Sequence, residues 1–436
     1  MSHSSVASTL IPKDDAVNAE NADRKRESAP ISVNQRPKKK GLSRDSFWLL
    51  AARLTAQALA ILFTAITARK LGVDNFGHFA FIASVILICN TFTNFGTDTF
   101  LIRETARAGR ATQLASQALT LQLLLSAFCL AAFILFRDSA LLLYSLALFP
   151  LTIFSVDNAL LRALNRMDSF WLLSLVNGIL QILAAFFSAD VLTLCLFLLI
   201  GQILLSAISY SICHASLLDF GLLPLKDFRP IFKLTLPFAA LTILLVLTQR
   251  LGILSVSALL DDSATGIFSS VTRIVDGFKF GHYAILGALL PALSRSLTES
   301  WQSLRKAFVL LVTVSLVFAI TLLLFSKTII LILYGQEFVQ ASAQLTVLGW
   351  SLLPYTISSF ISYLLIARGQ ETTLVKATVV SLIIYAVLYF RFIKTSDISG
   401  AIYAALIGEC VQAVIFVFAL SPLSPREGVG VRENHD

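Results

Sequence analysis

Twelve apolar runs punctuate the chain, at 47–68, 76–97, 114–136, 140–161, 169–187, 190–213, 234–259, 265–290, 307–326, 342–366, 373–392 and 398–420. Each is close to the ~20 residues that cross the hydrocarbon core of a bilayer as an α-helix. The pattern predicts an all-α polytopic membrane protein of about twelve transmembrane helices, with short polar connectors between them. Runs four, seven and ten contain Pro150, Pro237 and Pro354, which a membrane helix accommodates where neighbours or water satisfy the freed carbonyls. Thr328–Tyr334 is apolar but too short to span, and reads as an interfacial connector after the ninth run.

Composition narrows the class further. The chain has 436 residues, 56% hydrophobic and 14% charged, with a mean hydropathy of +0.80. Soluble domains carry about 25% charged residues, so this balance excludes a water-soluble globule. It also excludes a secreted disulfide scaffold, a nucleic-acid-binding domain and a disordered chain. Cys89, Cys129, Cys195, Cys213 and Cys410 are scattered in or beside apolar runs with no CxxC spacing. They read as small lipid- or core-facing residues.

Charge placement predicts orientation. Residues 1–44 hold nine Lys and Arg against five acids, ending in Lys38-Lys39-Lys40 and Arg44 just before the first run. Rich in Ser, Asn and Pro, this stretch reads as a disordered cytoplasmic tail; it contains no short apolar core with a cleavage site, so the first span is expected to direct insertion. With that end inside, the inner loops hold thirteen basic residues and the outer loops six. This is the positive-inside bias, with both termini cytoplasmic. The expected organisation is a tail over 1–44, a six-helix bundle over 45–222, a second over 223–421, and a cytoplasmic tail over 422–436. A faint internal echo supports two copies: Leu71, Gly77 and Phe79 recur as Leu260, Gly266 and Phe268, all three at one constant offset. Some transporters are built from such parallel repeats.

Ionisable residues inside spans are costly and usually face a bundle interior or an aqueous cavity. Arg53 lies in the first span, Asp98 and Asp157 near the inner ends of the second and fourth, Arg250 in the seventh and Glu409 in the twelfth. The eighth carries Arg273, Asp276, Lys279 and His282 at every third position, which winds as a spiral on a helix of 3.6 residues per turn. Asp276 could pair with Arg273 or Lys279 and simply pin the bundle, but one acid neutralises only one base. The surplus positive charge favours a cavity for an anion. Arg53 could snorkel to the headgroups. Glu409 could be the partner of Arg250 or an ion-coupling carboxylate. Asp98 and Asp157 could be helix caps or proton sites. His282 has no companion with which to form a metal site.

No nucleotide-binding GxxxxGK[ST] loop, HExxH or GxSxG motif is present, so nothing implies nucleotide hydrolysis or a cofactor. Two stretches carry a resemblance: Ala68-Arg69-Lys70-Leu71-Gly72-Val73-Asp74-Asn75-Phe76-Gly77, and Asn94-Phe95-Gly96-Thr97-Asp98-Thr99-Phe100-Leu101-Ile102-Arg103-Glu104. Leu290-Pro291-Ala292-Leu293-Ser294-Arg295 and Leu333-Tyr334-Gly335-Gln336-Glu337-Phe338 are similar in the same way. The pattern resembles the polysaccharide-transport (Wzx-type) branch of the multidrug/oligosaccharidyl-lipid/polysaccharide (MOP) flippase superfamily, over most of residues 45–420. The resemblance implies two six-helix bundles around a central cationic cavity in a bacterial inner membrane. It also implies a lipid-linked oligosaccharide as substrate, with membrane lipids and other polysaccharide-assembly proteins as partners. Many relatives have fourteen helices rather than twelve. On depth and charge, Arg250, Arg273, Lys279 and Arg53 are the expected substrate-binding residues, and Asp276, Glu409, Asp157 and Asp98 the ion-coupling candidates. A multidrug antiporter of the same superfamily and a membrane-embedded glycan polymerase or ligase are the rival readings.

Overall fold

The computed structural model describes residues 42–108, 111–135, 138–214, 229–299 and 301–420. The described residues form thirteen α-helices: α1 Leu42–Asn94, α2 Thr97–Ala108, α3 Ala111–Phe133, α4 Ser139–Ser145, α5 Leu148–Ala163, α6 Met167–Phe187, α7 Val191–His214, α8 Arg229–Leu259, α9 Asp262–Glu299, α10 Trp301–Leu333, α11 Ala341–Gly349, α12 Leu352–Ala367 and α13 Glu371–Leu420. A 3₁₀ turn, Gln336–Phe338, joins α10 to α11. The predicted tails lie outside the described residues up to position 41 and beyond 420, and α1 begins at Leu42, within the stretch read as tail. The ninth span also differs from its sequence reading. Thr328–Leu333 is not a connector but the last part of α10, which stops just before Gly335.

Among the described residues eight helical stretches are long and apolar enough to cross a membrane, and the bent pair α11–α12 makes a ninth. Two of the eight, of 55 and 50 residues, are long enough to cross twice and are broken part-way. In α1 the helix breaks at Gly72 (φ 73°, ψ 178°), a backbone only glycine adopts without strain. In α13 it breaks at Ser396 and Asp397 (φ 49°), where Asp tolerates a positive φ better than most residues. α9, whose 38 residues reach about 57 Å, is also long enough to cross, but it carries Arg273, Asp276 and Lys279 and is not among those nine apolar stretches. Large apolar side chains such as Phe128, Leu324 and Phe418 are left exposed on the perimeter, as a lipid-facing surface requires.

The two halves are built alike in detail. Pro150 has no N–H to give the Leu146 carbonyl, so the Phe149 N–H takes it at 3.3 Å and the fourth span breaks into α4 and α5. Pro354 does the same in the tenth span: Leu353 N–H donates to Trp350 at 3.3 Å, and α11 gives way to α12. Ser126 of α3 shares a hydrogen bond with Thr152 of α5 at 3.2 Å, and Ser315 of α10 with Thr356 of α12 at 2.5 Å. The offset from Ser126 to Ser315 is the one that relates Gly77 to Gly266, and a single longer offset relates both the threonines and the prolines.

Those two glycines meet. A Cβ on Gly77 would strike the Asp262 carbonyl, and a Cβ on Gly266 would strike the Val73 carbonyl. Val73 and Asp262 are themselves related by the glycine offset, so each repeat presents the same backbone patch to the other. That reciprocity marks a two-fold-like contact. Around it Phe76 packs on Tyr334 and Phe338, with ring centroids 6.3 and 5.7 Å away. Arg69 donates to the Leu331, Ile332 and Leu333 carbonyls that end α10. At the opposite end the halves meet again, where Phe95 stacks on Phe232 at 4.6 Å and Ala239 joins the core of the first half.

Candidate binding cavity

Between these two contacts lies a cavity of about 620 Å³. Gln57, Ala60, Ile61 and Thr64 of α1 form one wall; the rest comes from the second half, chiefly α8, α9 and α13. At 1.5 Å per residue, Arg250 sits about 13 Å from the end of α8, and Arg273 about 16 Å from the start of α9. Both are therefore deep in their spans. Five of the eight residues singled out from the sequence line this cavity: Arg250, Arg273, Asp276, Lys279 and Glu409.

Their pairing differs from both sequence expectations. Lys279 Nζ lies 2.5 Å from Glu409 Oε1 and 4.7 Å above the Tyr355 ring, so Glu409 is the partner of Lys279 and not of Arg250. No ion pair joins Asp276 to Arg273 or Lys279 among the described residues. Arg250 and Arg273 have no hydrogen-bond or ion-pair partner there either. The Arg250 Nε is buried and unsatisfied, as is the Ser351 Oγ nearby on the wall. Three cations thus face two carboxylates, and the excess is concentrated on two arginines. A charge-assisted hydrogen bond contributes about 1.5–3 kcal/mol, whereas a buried polar group left without one costs about 1–3 kcal/mol. An anion bridging Arg250 and Arg273 would relieve the second and gain the first. Arginine suits phosphate or carboxylate here because its planar fork donates two parallel bonds.

The other three candidates lie elsewhere. Arg53 is exposed and is not among the residues lining the cavity, in keeping with the snorkelling alternative. Asp98 accepts from Ser155 at 2.8 Å, and Ser155 in turn accepts from Asn94 at 2.8 Å. Asp157, fully buried, accepts from Ser209 at 2.6 Å. Both aspartates tie spans of the first half together. The His282 side chain lies outside the described residues.

Neutral polar groups of the wall escaped the sequence reading: Gln57, Gln249 and Gln412, with Tyr334, Tyr355, Tyr385 and Tyr389. One signal for the site was available. Leu199-Ile200-Gly201-Gln202 in the sixth span recurs as Leu406-Ile407-Gly408-Glu409 in the twelfth. Gln202 donates to Asn177 at 3.3 Å, so the position is polar in both copies and charged in one.

An all-helical, multi-crossing scaffold of two like halves around a polar cavity is a membrane-carrier architecture, and comparison with solved structures agrees. A multidrug resistance MATE-family transporter of the MOP superfamily, inward-facing, superposes with a TM-score of 0.71 at 16% identity, covering 86% of this chain and 97% of that one. The lipid II flippase MurJ in an inward closed conformation gives 0.69 at 16% identity, covering 86% and 87%. A MOP superfamily transporter from Pyrococcus furiosus gives 0.62 at 17%, covering 86% and 94%. The fold is therefore the one these MOP-superfamily carriers share. No curated protein matches the sequence significantly. The polysaccharide biosynthesis protein family model matches residues 42–297, and the chain belongs to that family.

Proposed function

We propose that the protein is a flippase that carries an undecaprenyl-pyrophosphate-linked oligosaccharide from the inner to the outer leaflet of a bacterial inner membrane. The observation that carries this reading is the pair of guanidinium groups, Arg250 and Arg273, that have no partner among the described residues and lie on the wall of a polar cavity deep in the protein. A pyrophosphate-linked sugar brings about two negative charges and a large polar group, neither of which enters hydrocarbon unaided. The cavity gives the headgroup a wet, positive route, while the lipid tail stays in the bilayer. Membership of a polysaccharide biosynthesis family supports the substrate class, and the fold of a lipid II flippase supports the mode of transport. The excess of basic residues in the loops on one side supports cytoplasmic termini.

In this reading the two repeats alternate between contact at the Gly77–Gly266 end and contact at the Phe95–Phe232 end. An ion gradient resets the carrier through Asp276 or Glu409. The rival multidrug antiporter shares the fold, but a wall with surplus cations repels the cationic drugs such carriers export. Restoration of surface polysaccharide in a deletion strain tests the proposal. The wild-type gene restores it and a variant lacking both Arg250 and Arg273 does not. Restoration by that variant, or drug sensitivity with normal polysaccharide in the deletion strain, defeats the proposal.

A further inference from the structure

Taking the anion-carrier reading as its basis, we infer that Glu409 is an internal counter-anion: it occupies Lys279 while the cavity is empty, and the substrate's headgroup must displace it to bind. The pair sits on the cavity wall rather than behind it, with the side chains of Lys279 and Glu409 still 19% and 12% exposed. Its two members come from different spans, α9 and the second half of α13, so the contact can open without unfolding either helix. Beside it the wall holds two cations, Arg250 and Arg273, that are ion-paired to no carboxylate among the described residues. An anion with two charge centres meets Arg250 and Arg273 unopposed, and then competes with one carboxylate for the third base. Glu409 so sets the affinity: it screens Lys279 from small anions that cannot also engage both arginines, and it favours a headgroup carrying more than one charge.

Comparison of the repeats strengthens the assignment. The position equivalent to Glu409 is Gln202, which fits the same Gly-polar step of a span without a charge. The position equivalent to Lys279 is Asn90. The first repeat carries neutral amides at both positions, and there Gln202 bonds to Asn177 of a neighbouring span, so the scaffold folds with no charge pair at this place. Glu409→Gln and Lys279→Asn therefore exchange side chains for ones the scaffold already carries.

The experiment is titration of the purified full-length protein with inorganic pyrophosphate, followed by calorimetry. Glu409→Gln is expected to bind at least tenfold more tightly than wild type. In a Lys279→Asn background the same substitution is expected to give no gain, because no base is left to release. Asp276→Asn controls for the loss of a negative charge on the wall, and its gain should persist without Lys279. Unfolding temperatures measured alongside separate these effects from loss of structure. An unchanged or weaker affinity in Glu409→Gln overturns the counter-anion assignment, as does a gain that survives Lys279→Asn. If Arg273→Ser also leaves binding unchanged, or if wild type binds no pyrophosphate, the anion-carrier reading falls with it. If Arg273→Ser weakens binding while Glu409→Gln changes nothing, only the assignment falls.

Discussion

The second span of the first repeat and the second span of the second repeat are nearly superposable in pattern and opposite in chemistry. Ile82 and Ile86 are buried in one, and their equivalents Val271 and Val275 are buried in the other. Between and beyond those matched core positions, Ser84, Leu87 and Asn90 correspond to Arg273, Asp276 and Lys279. Packing faces have been kept and the polar face has been rewritten. Carboxylates withdrawn from solvent are present in the first half too. Half-buried Asp98 and buried Asp157 each accept a hydrogen bond from a hydroxyl of a neighbouring span and line no part of the cavity, although Asp157 Oδ1 is left over. Arg250 and Arg273, by contrast, face the cavity with no partner among the described residues. Burial of a charge is therefore a poor marker of function here. An unmet hydrogen-bonding capacity facing a cavity is the better one.

The strongest way to break this contrast is to make the second repeat like the first. Arg250 corresponds to Ile61 and Arg273 to Ser84, so Arg250→Ile with Arg273→Ser removes both guanidiniums using residues the fold accepts. Two lost charge-assisted interactions of about 1.5–3 kcal/mol each are expected to lower export at least 100-fold. Lipid-linked oligosaccharide transport in proteoliposomes checks this. Normal transport by the double variant would make the charged face of α9 a structural feature like the aspartates of the first half.

Perturbing what the repeats share should instead hit both equally. Gly77→Val and Gly266→Val each push a side chain into the other repeat's backbone. Overpacking of a tight contact costs about 1–3 kcal/mol or more, and the reciprocal geometry predicts similar losses. The unfolding temperatures of the two variants in detergent are expected to fall together. A fall in only one would show that the crossing is not two-fold in its energetics.

Much of this architecture was legible along the chain. The hydrophobic runs mark the long apolar helices, including those that continue through a break, because lipid demands a full-length apolar stretch wherever a helix crosses. Pro150 and Pro354 announce where the fourth and tenth spans bend. The charges on α9 point to the cavity because they cannot all face lipid. Three features were not legible. Lys279 meets Glu409 across 130 positions, and local spacing offers only the nearer Asp276. Arg53 follows the same depth rule as Arg250, yet lies on an exposed face; depth along a helix does not specify azimuth. The last turns of α10 were missed because Lys327 interrupts the apolar run, although a lysine near a span's end reaches past hydrocarbon without ending the helix.

In the first repeat, substitution of Asp157 or Asp98 should affect stability and leave transport alone. Asp157→Asn keeps an oxygen to accept from Ser209, and Asp98→Asn keeps one for Ser155. Polar pairs between membrane spans contribute about 0.6 kcal/mol on average and up to about 1.7. The unfolding temperature should drop slightly, with export within about twofold of wild type. Loss of export in either variant would place a functional carboxylate in the half argued to be structural.

Asp138 offers the smallest and most specific test, because it lies outside the spans and titrates. It caps α4, accepting from the Ala140 and Leu141 N–H groups at 2.9 and 3.1 Å, and it binds His78 at 2.8 Å. Burial opposes its ionisation, but the His78 and backbone hydrogen bonds outweigh it and hold the carboxyl below its ordinary value of 3.8. A group whose pKa is lower folded than unfolded stabilises fully above the unfolded value, and loses that contribution as pH falls through the folded one. Wild-type unfolding temperature should therefore be flat with respect to this group from neutral pH to about pH 5, and decline below about pH 4. Asp138→Asn retains a capping oxygen, since Asn and Asp cap about equally well, whereas Asp138→Ala costs about 1 kcal/mol. The Asn variant should lack this acid-dependent part of the decline and meet the wild-type curve at low pH, with transport at neutral pH unaffected. A transport defect in Asp138→Asn would carry function into the first repeat at the end where Gly77 and Gly266 meet, and the division of labour between the halves would have to be redrawn there.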